Sequence, residues 1–336
     1  MIRCLRRFNA CGIAVLAVCS ILNARDLIKK SAFAPGAVPS EQATLWHEQN
    51  TRILNLAEGP GGKENRPSGK LTFVKEDRTG TSPKFEVVDE RGVHWKAKLG
   101  EESRAETAAT RLVWAAGYFA DADYYFPKLR IENMPHLHRG REFMAQDGSV
   151  AGVRLERRLK SDEKGEHWSW YDNPFTGSRE FNGLRTLMAL INNWDLKEDN
   201  NAKYPQAGAQ LRYGISDLGA TFGRTGDVFV RSKSDLRNYR QSKFIQKVTP
   251  EYVDFYMSSR PFILSVFDVP NYIRRTRMQS VAKHIPRAHA KWLGQVLAQL
   301  TDEQIRECFR AADYSPEEVS GFASVVEQRI AELTRL

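Results

Sequence analysis

Asn193-Trp194-Asp195-Leu196-Lys197-Glu198-Asp199-Asn200-Asn201, with Asp217-Leu218-Gly219 shortly after it, is the stretch on which the reading of this chain turns. Residues 179–193 place Leu184, Leu187, Met188 and Ile191 at helical spacing, so Asp195 follows directly on a helix. Tyr213-Gly214-Ile215-Ser216 reads as the end of a short strand, residues 211–216, and Asp217 stands at its tip. The pattern is therefore a carboxylate on a tight loop, an amide five residues on, and a second carboxylate at a strand end. Carboxylate and amide oxygens are hard ligands suited to Mg²⁺ or Mn²⁺, which also bind phosphate. A calcium loop does not fit, because Lys197 and Asn200 stand where that pattern needs Asp or Asn and Gly. A plain Asx-type turn at Asp195 and Asn200, with Asp217 a simple turn former, is the structural alternative.

Upstream the chain is strand-like. Residues 71–76, 85–89 and 94–99 alternate as strands, the last two joined by the hairpin turn Glu90-Arg91-Gly92. The loop between the first two holds Thr79-Gly80-Thr81-Ser82-Pro83-Lys84. Lys96 and Lys98 share one face of the third strand, since strand side chains alternate. A helix over residues 103–117 carries Ala105, Ala109, Leu112 and Ala116 as its apolar stripe, and residues 124–131 and 150–159 read as further strands. Beyond Ser232 helices dominate, over residues 288–300, 301–312 and 316–336. Ser315-Pro316-Glu317-Glu318 opens the last as a capping box.

In this order and spacing the chain resembles the protein-kinase superfamily. Asp195 to Asn200 matches the catalytic-loop spacing D-x-x-x-x-N, and Asp217-Leu218-Gly219 looks like the D-F-G metal motif with Leu for Phe. The atypical branch of HipA-type and phosphatidylinositol 3-/4-kinases is most similar, because the Thr79–Lys84 turn resembles the Ser/Gly-rich turn ending in Pro-Lys of HipA-type proteins. The resemblance covers roughly residues 70–225. It implies an α+β, two-lobed kinase-like fold, with a small mainly-β N-lobe carrying one helix (residues 70–160) and a mainly helical C-lobe with a helical tail (residues 161–336).

It also implies roles. Asp195 would orient or deprotonate the acceptor hydroxyl and Lys197 would steady the transferred phosphoryl. Asn200 and Asp217 would hold Mg or Mn. Lys84 and Lys98 would meet the phosphates of ATP, with Lys96 a rival to Lys98, and Glu106 would anchor the lysine. Ser103-Arg104-Ala105-Glu106 is equally a capping box in which Glu106 only satisfies a helix end. The lysines could also be surface residues of a half-buried strand. Asn193 and Trp194 replace the His and Arg of H-R-D, so control by an activation-loop phosphate is not implied, and no A-P-E sequence follows Asp217, so protein-substrate docking as in ordinary kinases is not implied either.

The 336 residues, 41% hydrophobic and 10% aromatic, suffice for a packed core and are neither fibrous nor disordered in composition. No apolar run reaches the roughly 18–20 residues of a spanning helix, which excludes a channel or transporter. Residues 10–22 form an apolar stretch behind Arg3, Arg6 and Arg7, the pattern of a secretory signal over residues 1–24 or of a short N-terminal anchor. Removing residues 1–24 takes away those three arginines and no acid, so the formal charge falls from +9 to +6. Cys4, Cys11 and Cys19 leave with them, and Cys308 remains as a buried apolar residue.

Residues 25–69 read as a connector with a short helix over 41–56. Its glycines do not make a phosphate loop, because Gly69-Lys70 precedes Leu71. Arg154, Arg157, Arg158 and Lys160, near Trp168 and Trp170, read as a solvated surface beside packing aromatics and give no specific nucleic-acid signal. His136 and His138 lack a third metal ligand, and His284 and His289 do not share a helix face. The expectation is an exported, secreted or envelope-associated phosphotransferase using ATP and Mg or Mn on an acceptor the sequence does not name. A kinase-fold binding or scaffold protein without activity, and nucleotidyl transfer from the same site, are the alternatives.

Overall fold

The structure, a computed structural model, describes residues 43–80, 82–158, 166–206, 210–225, 231–257 and 269–336. The expected export segment, Thr81 and Lys160 lie outside the described residues. The fold is mixed α+β.

Five strands close into a barrel in the order β2-β3-β4-β7-β6: β2 (Leu71–Asp77), β3 (Lys84–Val88), β4 (His94–Lys98), β6 (Asp123–Glu132) and β7 (Ser149–Arg158). Neighbours run antiparallel except at the closure, where β2 pairs parallel with β6 through Leu71 and Ile131. Alternation drives the closure: Phe85, Val87, Trp95, Ala97, Val153 and Leu155 point inward and fill the interior. Lys98 ends β4, and α1 (Glu101–Ala115) follows after a single turn.

A second sheet joins distant parts of the chain. β9 (Leu211–Ile215) pairs antiparallel with β8 (Asn201–Pro205). It also pairs in parallel with two short pieces, β1 (Ala43–Thr44) and β5 (Phe119–Ala120). The β8–β9 hairpin starts next to Asn200 and ends next to Asp217, so this sheet anchors both loop residues to the first half of the chain.

The remaining elements are α2 (Arg179–Leu190), α3 (Leu236–Gln241), β10 (Ile245–Val248), β11 (Tyr252–Phe255), α4 (Val269–Ser280), β12 (Ile285–Pro286), α5 (Arg287–Leu297), α6 (Asp302–Arg310) and α7 (Pro316–Thr334). A second, larger core gathers α2, α5, α6 and α7 with the alanine face of α1, Ala105, Ala108 and Ala109. α1 thus packs its small residues on the helical half, and the boundary between the two cores runs along it. Among the described residues no helix is long and apolar enough to cross a membrane.

Several expectations need correction. The described part of the expected helix over 41–56, residues 43–56, forms no α-helix; Thr44 pairs with Arg212, and the 3₁₀ turn Thr51–Ile53 follows. Ala43–Thr44 thus add a short strand to the second sheet. Ser103 does not cap α1: Gly100 is the N-cap, and Ser103 Oγ donates to the Lys98 carbonyl at 2.7 Å. Arg154 is 1% exposed and belongs to a buried ion network, so this member of the basic cluster is not a solvated surface charge. β8, with a proline end and two polar residues, and the β10-β11-β12 sheet carry no strong alternation and escape a pattern reading. Trp168 and Trp170 pack in the core, Cys308 is a buried thiol pushed up to about 12 by burial, and Ser315 and Glu318 form the capping box at α7.

Candidate active site

Between the barrel and the β8–β9 hairpin lies a cleft of about 510 Å³, and Lys84, Lys98, Glu106, Asp195, Lys197, Asn200 and Asp217 all line it. The four segments that bring them together are built by local chemistry that can be followed residue by residue.

The loop with Asp195 is aimed by the end of α2. Asn192 takes a left-handed φ of 52°, its N–H donates to the Ala189 carbonyl at 3.1 Å, and the Asn193 N–H donates to Met188 at 2.8 Å. This is a Schellman closure, with Asn in the place usually taken by Gly, and it reverses the chain toward the cleft. The Asn193 side chain then accepts from the Asp195 N–H at 3.2 Å. Asn200 Nδ2 donates to the Asp195 carbonyl at 2.6 Å, and the Ser216 N–H donates to the Asn200 carbonyl at 2.8 Å. Asp195, Asn200 and Asp217 are thereby held in one hydrogen-bonded frame. The Asx-turn contacts are present, and they serve to point the side chains at a shared cavity. Lys197 Nζ lies 2.7 Å from Asp195 Oδ2.

Lys98 is the centre of the opposite wall. Its Nζ stands 2.9 Å from Glu106 Oε2, 2.9 Å from Glu102 Oε2 and 3.3 Å from Asp217 Oδ1. Burial opposes the lysine's charge, but Glu106, Asp217 and Glu102 outweigh it and hold its pKa well above the ordinary value. Burial pushes Glu106 up, against the pull of Arg154 and Lys98. Asp217 is held below the usual carboxylate range, because Lys98 and the Gly219 N–H, 3.1 Å from Oδ1, overcome its burial. Lys96 also lines the cleft, but the ion pairs with Glu106 and Asp217 belong to Lys98.

Behind Glu106 a chain of buried charges crosses the barrel. Arg154 reaches Glu106 Oε1 at 3.5 Å, Asp123 Oδ2 at 2.6 Å and Glu156 Oε2 at 3.0 Å, and Asp123 also pairs with Arg111. Removing one partner from such a network strands the rest, at roughly 3–5 kcal/mol. Glu106 is therefore clamped from both sides, which a helix-capping role does not require.

Sequence reasoning missed two participants. Glu102 accepts from Ser82 Oγ at 2.5 Å, pairs with Lys233 and lies against Gly219. It ties the turn before Lys84, the start of α1 and the segment after Asp217 to one carboxylate. Nothing in the sequence flags it beyond its place one helical turn before Glu106. Arg139 donates to the carbonyls of Gly80 at 2.6 Å, Asp77 at 3.2 Å and Thr79 at 3.3 Å, and so fixes the turn at the cleft mouth. Lys84 pairs there with Asp77 at 3.3 Å. Where H-R-D has Arg, Trp194 is buried; its indole N–H donates to Ser232 at 3.2 Å and Arg231 stacks on it at 4.6 Å.

Among the described residues no group of three His, Cys, Asp or Glu side chains is arranged to hold a metal. A cation here would instead share one carboxylate and one amide with a ligand's own oxygens. The residues fit that use. Asn200 commits its Nδ2 to the Asp195 carbonyl, which leaves Oδ1 as the donor, and the contacts of Asp217 fall on Oδ1, which leaves Oδ2. His138, which lacks a third metal ligand in the sequence, bonds Glu76 through Nδ1 at 2.8 Å.

No protein-family model matches the chain, and no curated protein matches it in sequence. Solved structures similar in chain path include three. The proinflammatory kinase CtkA of Helicobacter pylori is 10% identical with a TM-score of 0.35, covering 78% of this chain and 97% of that one. The Golgi casein kinase is 11% identical with a TM-score of 0.34, covering 79% of this chain and 76% of that one. The same kinase with Mn/ADP bound is 12% identical with a TM-score of 0.33, covering 79% and 75%.

Proposed function

We propose that the protein is a kinase-like phosphotransferase that takes ATP with Mg²⁺ or Mn²⁺ in the cleft between a barrel lobe and a helical lobe. The observation that carries this reading is the meeting of Lys98, Glu106 and Asp217, within 3.3 Å, in a cleft that also holds Asp195 and Asn200. A lysine clamped by a buried glutamate and facing a second carboxylate at the cleft suits the pairing of phosphate oxygens beside a metal.

Phosphoryl transfer asks a protein for position and charge neutralisation more than for covalent chemistry. Lys84 and Lys98 would receive phosphate oxygens, and Asn200 and Asp217 would hold the metal, which neutralises charge on those oxygens when bound. Asp195 would orient the acceptor hydroxyl and take its proton as the new P–O bond forms and the bridging P–O bond breaks. Lys197, at 2.7 Å from Asp195, would meet the negative charge that spreads over the transferred group. The cleft wall carries Lys84, Lys96, Lys98, Lys197, Arg154 and Arg158 against Glu102, Glu106, Asp195, Asp199 and Asp217. That near balance disfavours a bare polyphosphate and favours one that arrives with its cation.

The reading of residues 1–24 as an export signal makes this an exported activity in the same proposal. Incubation with ATP and metal, followed by intact mass of the phosphorylated protein or added acceptor, tests it. A gain of one phosphate that disappears in Asp195→Ala supports phosphoryl transfer, and a gain of AMP would mean nucleotidyl transfer. No gain in any acceptor despite nucleotide binding would leave a binding protein.

A further inference from the structure

Three consecutive residues, Arg231, Ser232 and Lys233, meet the ring of Trp194, the residue directly before Asp195. The Arg231 guanidinium lies over the indole at 4.6 Å, the Ser232 carbonyl accepts from its N–H at 3.2 Å, and Lys233 Nζ stands 6.0 Å from a ring centroid. Lys233 has a second contact, at the start of α1, where its Nζ pairs with Glu102 Oε1. The other oxygen of that carboxylate, Oε2, holds Lys98 at 2.9 Å and accepts from Ser82 Oγ at 2.5 Å. One ammonium group therefore joins the loop of Asp195 to the lysine of the opposite wall.

The chain around Lys233 is fixed well enough to carry such a link. The Ser232 N–H donates to the Arg224 carbonyl at 2.9 Å, and the Arg224 N–H donates to Ser232 Oγ at 3.1 Å. Ser234 and Asp235 donate in the same way to Thr221 at 3.0 Å and Phe222 at 2.8 Å. A Cβ on Gly223 would collide with the Ser232 carbonyl, so the two runs of chain touch there. The Phe222 N–H donates to the Ile191 carbonyl at 2.9 Å, and the Asn192 side chain donates to Gly223, which docks the whole unit on the end of α2. An exposed ion pair would add little, but the side chains of Lys233 and Glu102 are only 23% and 14% exposed.

We propose that Lys233 is a positioning residue: paired with Glu102 and set against Trp194, it holds the Asp195 loop in register with Lys98. Kinases with Arg in the place of Trp194 can leave that task to a phosphate on the loop after the metal motif. Here a permanent charge replaces a regulated one, and the site is assembled without modification. The catalytic consequence rests on the phosphotransferase reading; the coupling between the two walls does not.

The test is phosphate release from Mg²⁺-ATP, with water as acceptor, beside calorimetric ATP binding, on the full chain. Lys233→Met should lower kcat by about tenfold or more and ATP affinity by less, because a misplaced Asp195 loop slows transfer without emptying the nucleotide site. Lys233→Arg, which keeps the charge and stacks on aromatic rings, should restore most of the rate. Wild-type protein free of phosphate by intact mass should turn over from the first time point, with no lag. A merely structural lysine would lower kcat, ATP affinity and the urea midpoint together, and that result overturns the proposal. A rate unchanged in Lys233→Met, or a wild-type rate that appears only once the chain has gained phosphate, overturns it as well.

If the wild type shows no turnover, the phosphotransferase reading fails by itself, and hydrogen exchange decides the coupling. The Trp194 N–H donates to the Ala220 carbonyl at 3.3 Å and the Asp195 N–H to the Asn193 side chain at 3.2 Å. Faster exchange of these two amides in Lys233→Met, reversed in Lys233→Arg, supports the positioning role. Exchange as slow as in the wild type overturns it.

Discussion

Lys98 Nζ stands 3.3 Å from Asp217 Oδ1, although 119 positions of chain separate the two residues. The barrel fixes the first and the β8–β9 hairpin the second, so their meeting measures how the two halves are set against each other. With nucleotide and metal bound, the account gives Lys98 to phosphate and Asp217 to the cation. Lys98→Met should therefore lower turnover by about a hundredfold or more, the scale seen when one charge-stabilising donor is removed. It should also cost about 1–3 kcal/mol of stability in urea, because Glu106 and Glu102 lose their shared partner. Lys96→Met, which leaves the Lys98 pairs with Glu106 and Asp217 in place, should lower turnover less than Lys98→Met does.

Asp217 and Asp195 should separate in kinetics. Asp217→Asn removes charge from the proposed metal side and should weaken metal-dependent ATP binding. Asp195→Asn keeps the frame but loses the proton acceptor, so it should bind ATP as the wild type does and turn over at least about a hundredfold more slowly. Equal loss of binding in both variants would contradict the division of roles.

Glu102 should set part of the acid sensitivity. Its burial raises its pKa, but Lys98, Lys233 and Ser82 outweigh that and hold it well below the ordinary value of 4.5. A carboxylate lowered on folding contributes stability that is present above its unfolded pKa and lost as pH falls through the folded one. Asp217, also lowered, acts in the same direction, while Glu106, raised by burial, acts in the opposite one. Urea midpoints measured from about pH 7 to about pH 3 should fall steeply for the wild type and less steeply for Glu102→Gln. Identical slopes would remove Glu102 from the explanation.

Gly219 is small because Glu102 occupies the space beside it. A Cβ there would stand 2.9 Å from Glu102 Cβ and 3.1 Å from its Cγ. These atoms lie at the base of the side chain and cannot swing away. Gly219→Ala should push Glu102 off Ser82 and Lys233, cost about 1–3 kcal/mol in thermal or urea unfolding, and weaken nucleotide binding. A variant as stable and as tight-binding as the wild type would show that this contact is slack.

The parts of the fold that were legible share a cause. β2, β3 and β4 alternate because one face fills a barrel, and α1, α2 and α7 show periodic apolar faces because they pack on a core. β1 and β5, two residues each, and β8 have no such face to display; their pairing partners lie far off in the chain, and only the folded sheet reveals them. In the candidate site, spacing pointed to Asp195, Asn200 and Asp217, because loop and strand-end geometry is local, while the resemblance pointed to Lys98 and left Lys96 as its rival. Glu102, Lys233 and Arg139 act across distances that no spacing records, and Arg154 looked like a surface charge because its three buried partners come from α1, β6 and β7 itself.

Calorimetric titration of the folded protein with ATP, with and without Mg²⁺ or Mn²⁺, tests the central claim most directly. The account predicts one site that requires the metal, is weakened by about tenfold or more in Lys98→Met and Asp217→Asn, and is retained in Asp195→Asn. Absence of binding to ATP with either metal, in a sample shown to be folded, would contradict it.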